Sequence, residues 1–163
     1  MEFYCCTHLP DKVKELFLEE DDPSIVSQDF TMEYYEKIHK EIPDIIDEQC
    51  QLGRCIVVAS DNVAILVNRK TAWLCSVDTK MRKGTSLKEL KKAYLDMFDL
   101  LRYNTVYEKI ETRTPLEKFA KLFAKLTNSQ IEGHLQKSFK LADGTMADEW
   151  IVGHVLERNA SCQ

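Results

Sequence analysis

Three apolar runs in quick succession set the frame for this chain. CIVVAS (55–60), VAILVN (63–68) and a run ending in WLCSV (73–77) are separated only by Asp61-Asn62 and by a short stretch around Arg69-Lys70. Runs this short and this rich in β-branched residues read as strands. Gaps this short permit only antiparallel neighbours, so the three form a meander, with Asp61-Asn62 as a two-residue hairpin turn of a favoured type. Strands that read as continuous apolar runs need cover on both faces, which helices on either side can supply.

The flanking segments have that pattern. Glu2 to His8 is short, aromatic and cysteine-rich, and reads as a first strand on which Cys5 and Cys6 point to opposite faces. From Pro10 to Glu20, Val13, Leu16 and Phe17 recur at helical spacing. A second helical region, Asp29 to Gln51, carries Met32, Tyr35, Ile38, Ile42, Ile45 and Ile46, with Pro43 expected to kink or split it. Ser86 to Leu101 places Leu87, Leu90, Ala93, Tyr94, Met97, Phe98 and Leu101 on one face. Thr105 to Thr112 alternates as a strand. Thr114 to Asn128 is a helix with a capping box from Thr114 to Glu117, Pro115 at its first position, and Leu116, Phe119, Ala120, Phe123 and Leu126 inward. Gln130 to Lys140 and Glu149 to Arg158 form a closing hairpin around Ala142-Asp143-Gly144, with His134 and His154 as cross-strand neighbours.

The order is strand, two helices, three antiparallel strands, helix, strand, helix, two strands. It predicts one α+β domain over residues 1–163, with a mixed, mostly antiparallel central sheet flanked by helices. The crossover through 86–101 makes the strand at 105–112 parallel to the one at 73–77. If those two strands splay, a slot opens at their C-terminal ends.

Charge narrows the partners. The net charge is −5, but residues 11–48 hold 13 acidic and 4 basic side chains, while the remainder is net basic. The acidic part speaks against general nucleic-acid binding and favours a cationic partner. No apolar run reaches the roughly 20 residues a membrane span needs, and no secretory signal is present, so a cytoplasmic protein is expected. The six cysteines and four histidines complete no zinc spacing, so no metal is expected and the thiols are reduced and mostly buried.

The stretch from Trp73 to Leu90 carries the chemistry. After the third strand come Lys80, Arg82, Lys83 and Gly84, then a capping box in which Ser86 and Glu89 satisfy each other's backbone N–H groups. Free N–H groups at a helix start, beside cations, make an anion site. An ordinary strand-to-helix turn with solvated lysines has the same local sequence.

Taken together, element order and residues resemble the GNAT superfamily of acyl-CoA-dependent N-acyltransferases. The resemblance spans nearly the whole chain and is most specific in Ile131 to Arg158, where Glu132-Gly133, Asp143-Gly144, Asp148 and Leu156 to Arg158 look like the closing hairpin of the branch that acetylates ribosomal proteins and other protein N-termini. That family binds the CoA pyrophosphate with a loop of pattern Arg or Gln, two residues, Gly, one residue, Gly or Ala. Here Met81, Gly84 and Ser86 hold those places, a degenerate version. The resemblance implies acetyl-CoA as cosubstrate, with the backbone at Val77 and Asp78 pairing the pantetheine arm and the amides of Arg82, Lys83, Gly84, Thr85, Ser86 and Leu87 cradling the phosphates. It implies an amine acceptor: a peptide N-terminus, a lysine or a small polyamine. Candidate general bases are Asp78, Glu111 and Glu108. The tyrosine that often protonates the leaving thiolate would stand near Phe123, and that helix contains none. A second implication follows from these departures. Small divergent GNAT-like proteins of tailed phages suggest a catalytically inactive form, a virion, assembly or host-interaction component found in the host cytoplasm or virion and acting through a protein partner or as a homo-oligomer.

Overall fold

The computed structural model describes residues 1–19, 38–141 and 143–157. Asp29, Met32, Tyr35, Ala142 and Arg158, all named above, lie outside them. The described residues build a seven-stranded sheet in the order β1-β2-β3-β4-β5-β7-β6, with helices on both faces. The strands are β1 Glu2–Tyr4, β2 Cys55–Ala59, β3 Val63–Arg69, β4 Leu74–Met81, β5 Lys109–Thr114, β6 Gln130–Lys140 and β7 Met146–Val155; the helices are α1 Asp11–Lys14, α2 Ile42–Gln51, α3 Leu87–Asn104 and α4 Glu117–Thr127. The α+β class and the mostly antiparallel pairing stand as expected. Strands β2, β3 and β4 form the meander, and β4–β5 is the one parallel pair among the described residues.

Each sheet face has its own core. Alternation sends Val63, Ile65 and Val67 of β3 toward α3 and α4, where they join Val77, Tyr94, Met97, Leu101, Ile110 and Phe123. The intervening Ala64 and Leu66 face α1 and α2, with Val13, Leu16, Phe17 and Cys50. None of the described helices is long and apolar enough to cross a membrane.

Several local expectations change. The first strand stops at Tyr4, because Cys6 takes a left-handed φ of 57° and turns the chain. Pro43 splits the second helical region rather than kinking it: a 3-10 turn at His39–Glu41 precedes α2, and Pro43 lies in the first turn of α2, where its missing N–H costs nothing. Neither Asp61 nor Asn62 has positive φ, so the hairpin turn is not a primed type; Ser60 closes it on Val63 instead. Residues 105–108 are not strand: Thr105 caps α3, and the N–H groups of Glu108 and Lys109 both reach the carbonyl of Trp73 where β5 begins. Thr114 makes no capping box, since its hydroxyl accepts from Leu116 N–H rather than from Glu117. Leu87 and Leu116 are exposed rather than inward, both lying at helix entrances above the core. His134 and His154 are not neighbours: His134 opposes Trp150, and His154 opposes Ile110.

Candidate acyl-transfer site

The parallel join is short. Backbone pairing links Leu74 to Lys109, Cys75 to Ile110 and Ser76 to Glu111, and there it ends. Beyond it β4 runs on to Met81 against β3, and β5 runs on to Thr114 against β7. The two strands therefore part after Ser76 and Glu111. At the next position Thr112 bridges with its side chain, its hydroxyl donating to the Val77 carbonyl at 3.2 Å.

Val77 is buried and pairs with Val67 on the other side of β4. Asp78 follows it on the opposite face and is exposed, with Asn68 Nδ2 donating to its Oδ2 at 3.2 Å. Glu111 opposes Ser76 and so shares the face of Asp78, one diagonal step away. Arg113 holds it, Nε to Oε1 at 2.7 Å, and extends Nη1 to Glu149 Oε2 at 3.6 Å. The two carboxylates thus stand on one face at the point of parting. Glu108 does not join them, because it precedes β5. Sequence reasoning missed Arg113, Glu149 and Thr112, which meet only through the β5–β7 and β4–β5 registers. The Glu132-Gly133 step is a bulge in β6 that carries Glu132 across Gly153 to Lys109 Nζ, 2.6 Å away.

The loop after β4 is shorter than the basic run suggested, because Lys80 and Met81 still pair with Ala64 and Val63. Gly84, at φ 92°, makes the turn in which Thr85 N–H returns to the Arg82 carbonyl at 3.1 Å. Arg82 is anchored to the neighbouring hairpin: its N–H donates to Asn62 O at 2.9 Å, its Nε to Asp61 O at 3.2 Å, and Nη2 faces Glu15 at 3.4 Å. The capping box forms as expected, with Ser86 N–H on Glu89 Oε2 at 2.9 Å and Glu89 N–H on Ser86 Oγ at 3.2 Å. Hydrogen bonds from the Ser86 backbone, the Ser86 hydroxyl and Asn62 hold the Glu89 carboxyl below its ordinary value. Of the six expected cradle amides, that of Arg82 is spent on the neighbouring hairpin and those of Thr85 and Ser86 within the turn and cap. Those of Lys83, Gly84 and Leu87 have no hydrogen-bond partner among the described residues.

Phe123 is buried on α4, as expected of a packing residue, 6.4 Å from Phe119 between ring centroids. A tyrosine nevertheless meets it from α3: Tyr94 packs edge-on at 4.7 Å, and its hydroxyl donates to Thr79 Oγ1 on β4 at 3.0 Å. Burial pushes the Tyr94 phenol up to about 12.

No family model matches the sequence, and no curated protein does. The fold does match solved structures. An N-acetyltransferase from Staphylococcus aureus Mu50 superposes with TM-score 0.62 at 14% identity, over 95% of this chain and 97% of its own. Mycobacterium smegmatis RimJ, solved with CoA-disulfide, gives 0.62 at 14% over 89% and 76%. The ribosomal-protein-S5-alanine acetyltransferase of Vibrio fischeri gives 0.52 at 16% over 72% and 70%. The fold of this chain is therefore GNAT-like, of the kind seen in acetyltransferases, ribosomal-protein acetyltransferases among them.

Proposed function

We propose that this chain is an acyl-CoA-dependent N-acyltransferase that moves an acetyl group from acetyl-CoA to a cationic amine such as a peptide N-terminus, a lysine or a small polyamine. The observation that carries this reading is the parting of β4 and β5 with a turn of unspent N–H groups, Lys83, Gly84 and Leu87, at its mouth. In this reading Val77 and Asp78 align the pantetheine arm by backbone hydrogen bonds, and the segment Arg82 to Leu87 holds the phosphates. Asp78, Glu111 and Glu149 stand on the acceptor face among Lys80, Lys109 and Arg113, so the preference for an ammonium group comes from the net-acidic segment 11–48. Asp78 or Glu111 then takes one ammonium proton, the nitrogen attacks the thioester carbonyl, the C–S bond breaks, and the nitrogen's second proton passes to the departing thiolate, leaving an amide and free CoA thiol.

The test is a melting curve with and without acetyl-CoA, paired with thiol release over a panel of amines. Acetyl-CoA should raise the melting temperature, and Asp78→Asn or Glu111→Gln should lower turnover by about 100-fold or more. The absence of both a melting shift and thiol release would sink the reading.

A second reading draws on specific observations. Three cradle amides already have protein partners, the Glu89 carboxylate occupies the helix start, and Phe123 stands where the tyrosine is expected. These favour a non-catalytic protein that uses the fold for assembly or host interaction, as in phages. A stable complex with a larger partner, together with a flat acetyl-CoA response, would support it.

A further inference from the structure

The Cys5-Cys6 pair lies at the edge of the sheet, three strands from the parting of β4 and β5, and the proposed acyl transfer makes no use of it. Adjacent residues of a strand point apart, but these do not: Cys5 Sγ and Cys6 Sγ stand 3.7 Å from each other. The cause is local. Cys6 sits at φ 57°, a region that residues with a Cβ enter at a cost. Two features hold it there. Its N–H donates to the Cys50 carbonyl at the end of α2, at 2.9 Å. Gly53, itself at φ 65°, leaves the space that the Cys6 sulfur approaches; a Cβ on residue 53 would lie 3.0 Å from that sulfur. The backbone of the α2–β2 turn is thus shaped around the Cys6 thiol.

One thiol is anchored and the other is open. Cys5 is half-buried, and Cys6 is exposed. Burial, then the hydrogen bond to Cys6, push the Cys5 thiol up to about 11, so it stays protonated at neutral pH. A direct disulfide fits this pair poorly. Adjacent Cα atoms across a trans peptide are about 3.8 Å apart, below the roughly 4.4–6.8 Å that disulfides span. A ligand that bridges both sulfurs through one atom avoids that constraint. Among the described residues no group of three or more metal-ligating side chains comes together, so such a site offers two sulfurs and no third protein ligand.

We propose that Cys5 and Cys6 form a bidentate dithiol site for a soft, single-atom thiophile, of which a trivalent arsenical is the defining chemical class. An organoarsenic(III) oxide, R–As=O, condenses with the two thiols. Two As–S bonds form, two S–H bonds and the As=O bond break, and one water carries away both protons and the oxygen. No oxidant or reductant takes part.

The experiment uses the whole reduced chain with equimolar phenylarsine oxide. Intact mass should show one adduct per chain, and titratable thiols should fall by two. Peptide mapping of the wild-type adduct should place the arsenic on the segment containing Cys5 and Cys6, a readout that requires no variant. The adduct should withstand excess monothiol and yield to a dithiol. Cys5→Ser and Cys6→Ser should each hold the arsenical about 100-fold more weakly under monothiol competition, because the second bond is then lost as an intramolecular step. Cys75→Ser should leave it intact. Mapping to Cys50, Cys55 or Cys75, or an adduct that monothiol removes from the wild-type chain, would overturn the proposal. Because the readout is arsenic and not acetyl transfer, neither result depends on the acyl-CoA reading.

Discussion

Thr112 donates its hydroxyl to the carbonyl of Val77 one position past the last backbone pair that joins their strands. A side chain here does what a ladder hydrogen bond does one position earlier. It closes the vertex of the gap at the point where the proposed acyl donor would enter.

Thr112→Val removes that donor while keeping the shape. Leaving a buried carbonyl without its partner costs about 1–3 kcal/mol, which in a chain of this length lowers the melting temperature by roughly 2–4 °C per kcal/mol. If the pantetheine arm pairs with this part of β4, acetyl-CoA should recover more of the variant's lost stability than it adds to the wild type. Paired melting curves with and without ligand give the comparison directly.

Glu89→Gln separates the cap from the charge. Glutamine can take the same capping-box place, so stability should fall by less than about 1 kcal/mol. The negative charge at the start of α3 disappears, and phosphate binding there should strengthen by about 0.3–1 kcal/mol, a few-fold in Kd for CoA by titration calorimetry. An unchanged Kd would argue that phosphates do not settle on this turn.

Gly84→Ala tests the turn by conformation alone. Nothing lies within 4 Å of the added Cβ, so only the φ of 92° resists it. The variant should lose about 1 kcal/mol or more of stability and, because the Lys83 and Gly84 N–H groups are re-aimed, most of its response to acetyl-CoA. A full response in a folded variant would remove the loop from the binding site.

Asp47 makes a pH prediction independent of catalysis. Burial works to raise its carboxyl, but hydrogen bonds from Leu9 N–H, Lys14 and His8 outweigh burial and hold it at about 2. A depressed carboxyl contributes stability in full above its unfolded value near 3.9 and loses it as pH falls toward 2. Wild type should therefore lose stability between about pH 4 and 2 more steeply than Asp47→Asn, whose destabilisation at pH 7 should be about 1–3 kcal/mol. Denaturant titrations at several pH values check both.

Much of this was legible in the sequence because it depends on local pattern. The period of two in Val63 to Val67, the repeat from Leu90 to Leu101 and the Ser86–Glu89 box each encode their own outcome within a few residues. Boundaries were less legible where distant partners decide them. Lys80 and Met81 are strand because β3 extends opposite them, and Glu108 is loop because two amides compete for the Trp73 carbonyl. Asp78 and Glu111 share a face only because Ser76 pairs with Glu111, and the Arg113 link to Glu149 needs the β5–β7 register; no spacing within any one segment records either. The meeting of Cys5 and Cys6 rests on one backbone angle, set by Cys50 and Gly53 some 45 residues away.

The three-rung seam between β4 and β5 has a mechanical consequence. The sheet is two leaves, β1 to β4 and β5-β7-β6, stitched along Ser76 and Glu111 and their two predecessors. Behind the seam one continuous core under α3 and α4 holds both leaves, while the other described core stops at β3. Any bending at the seam would open the sheet toward the Asp78–Glu111 face and leave both leaves held by the shared core behind it.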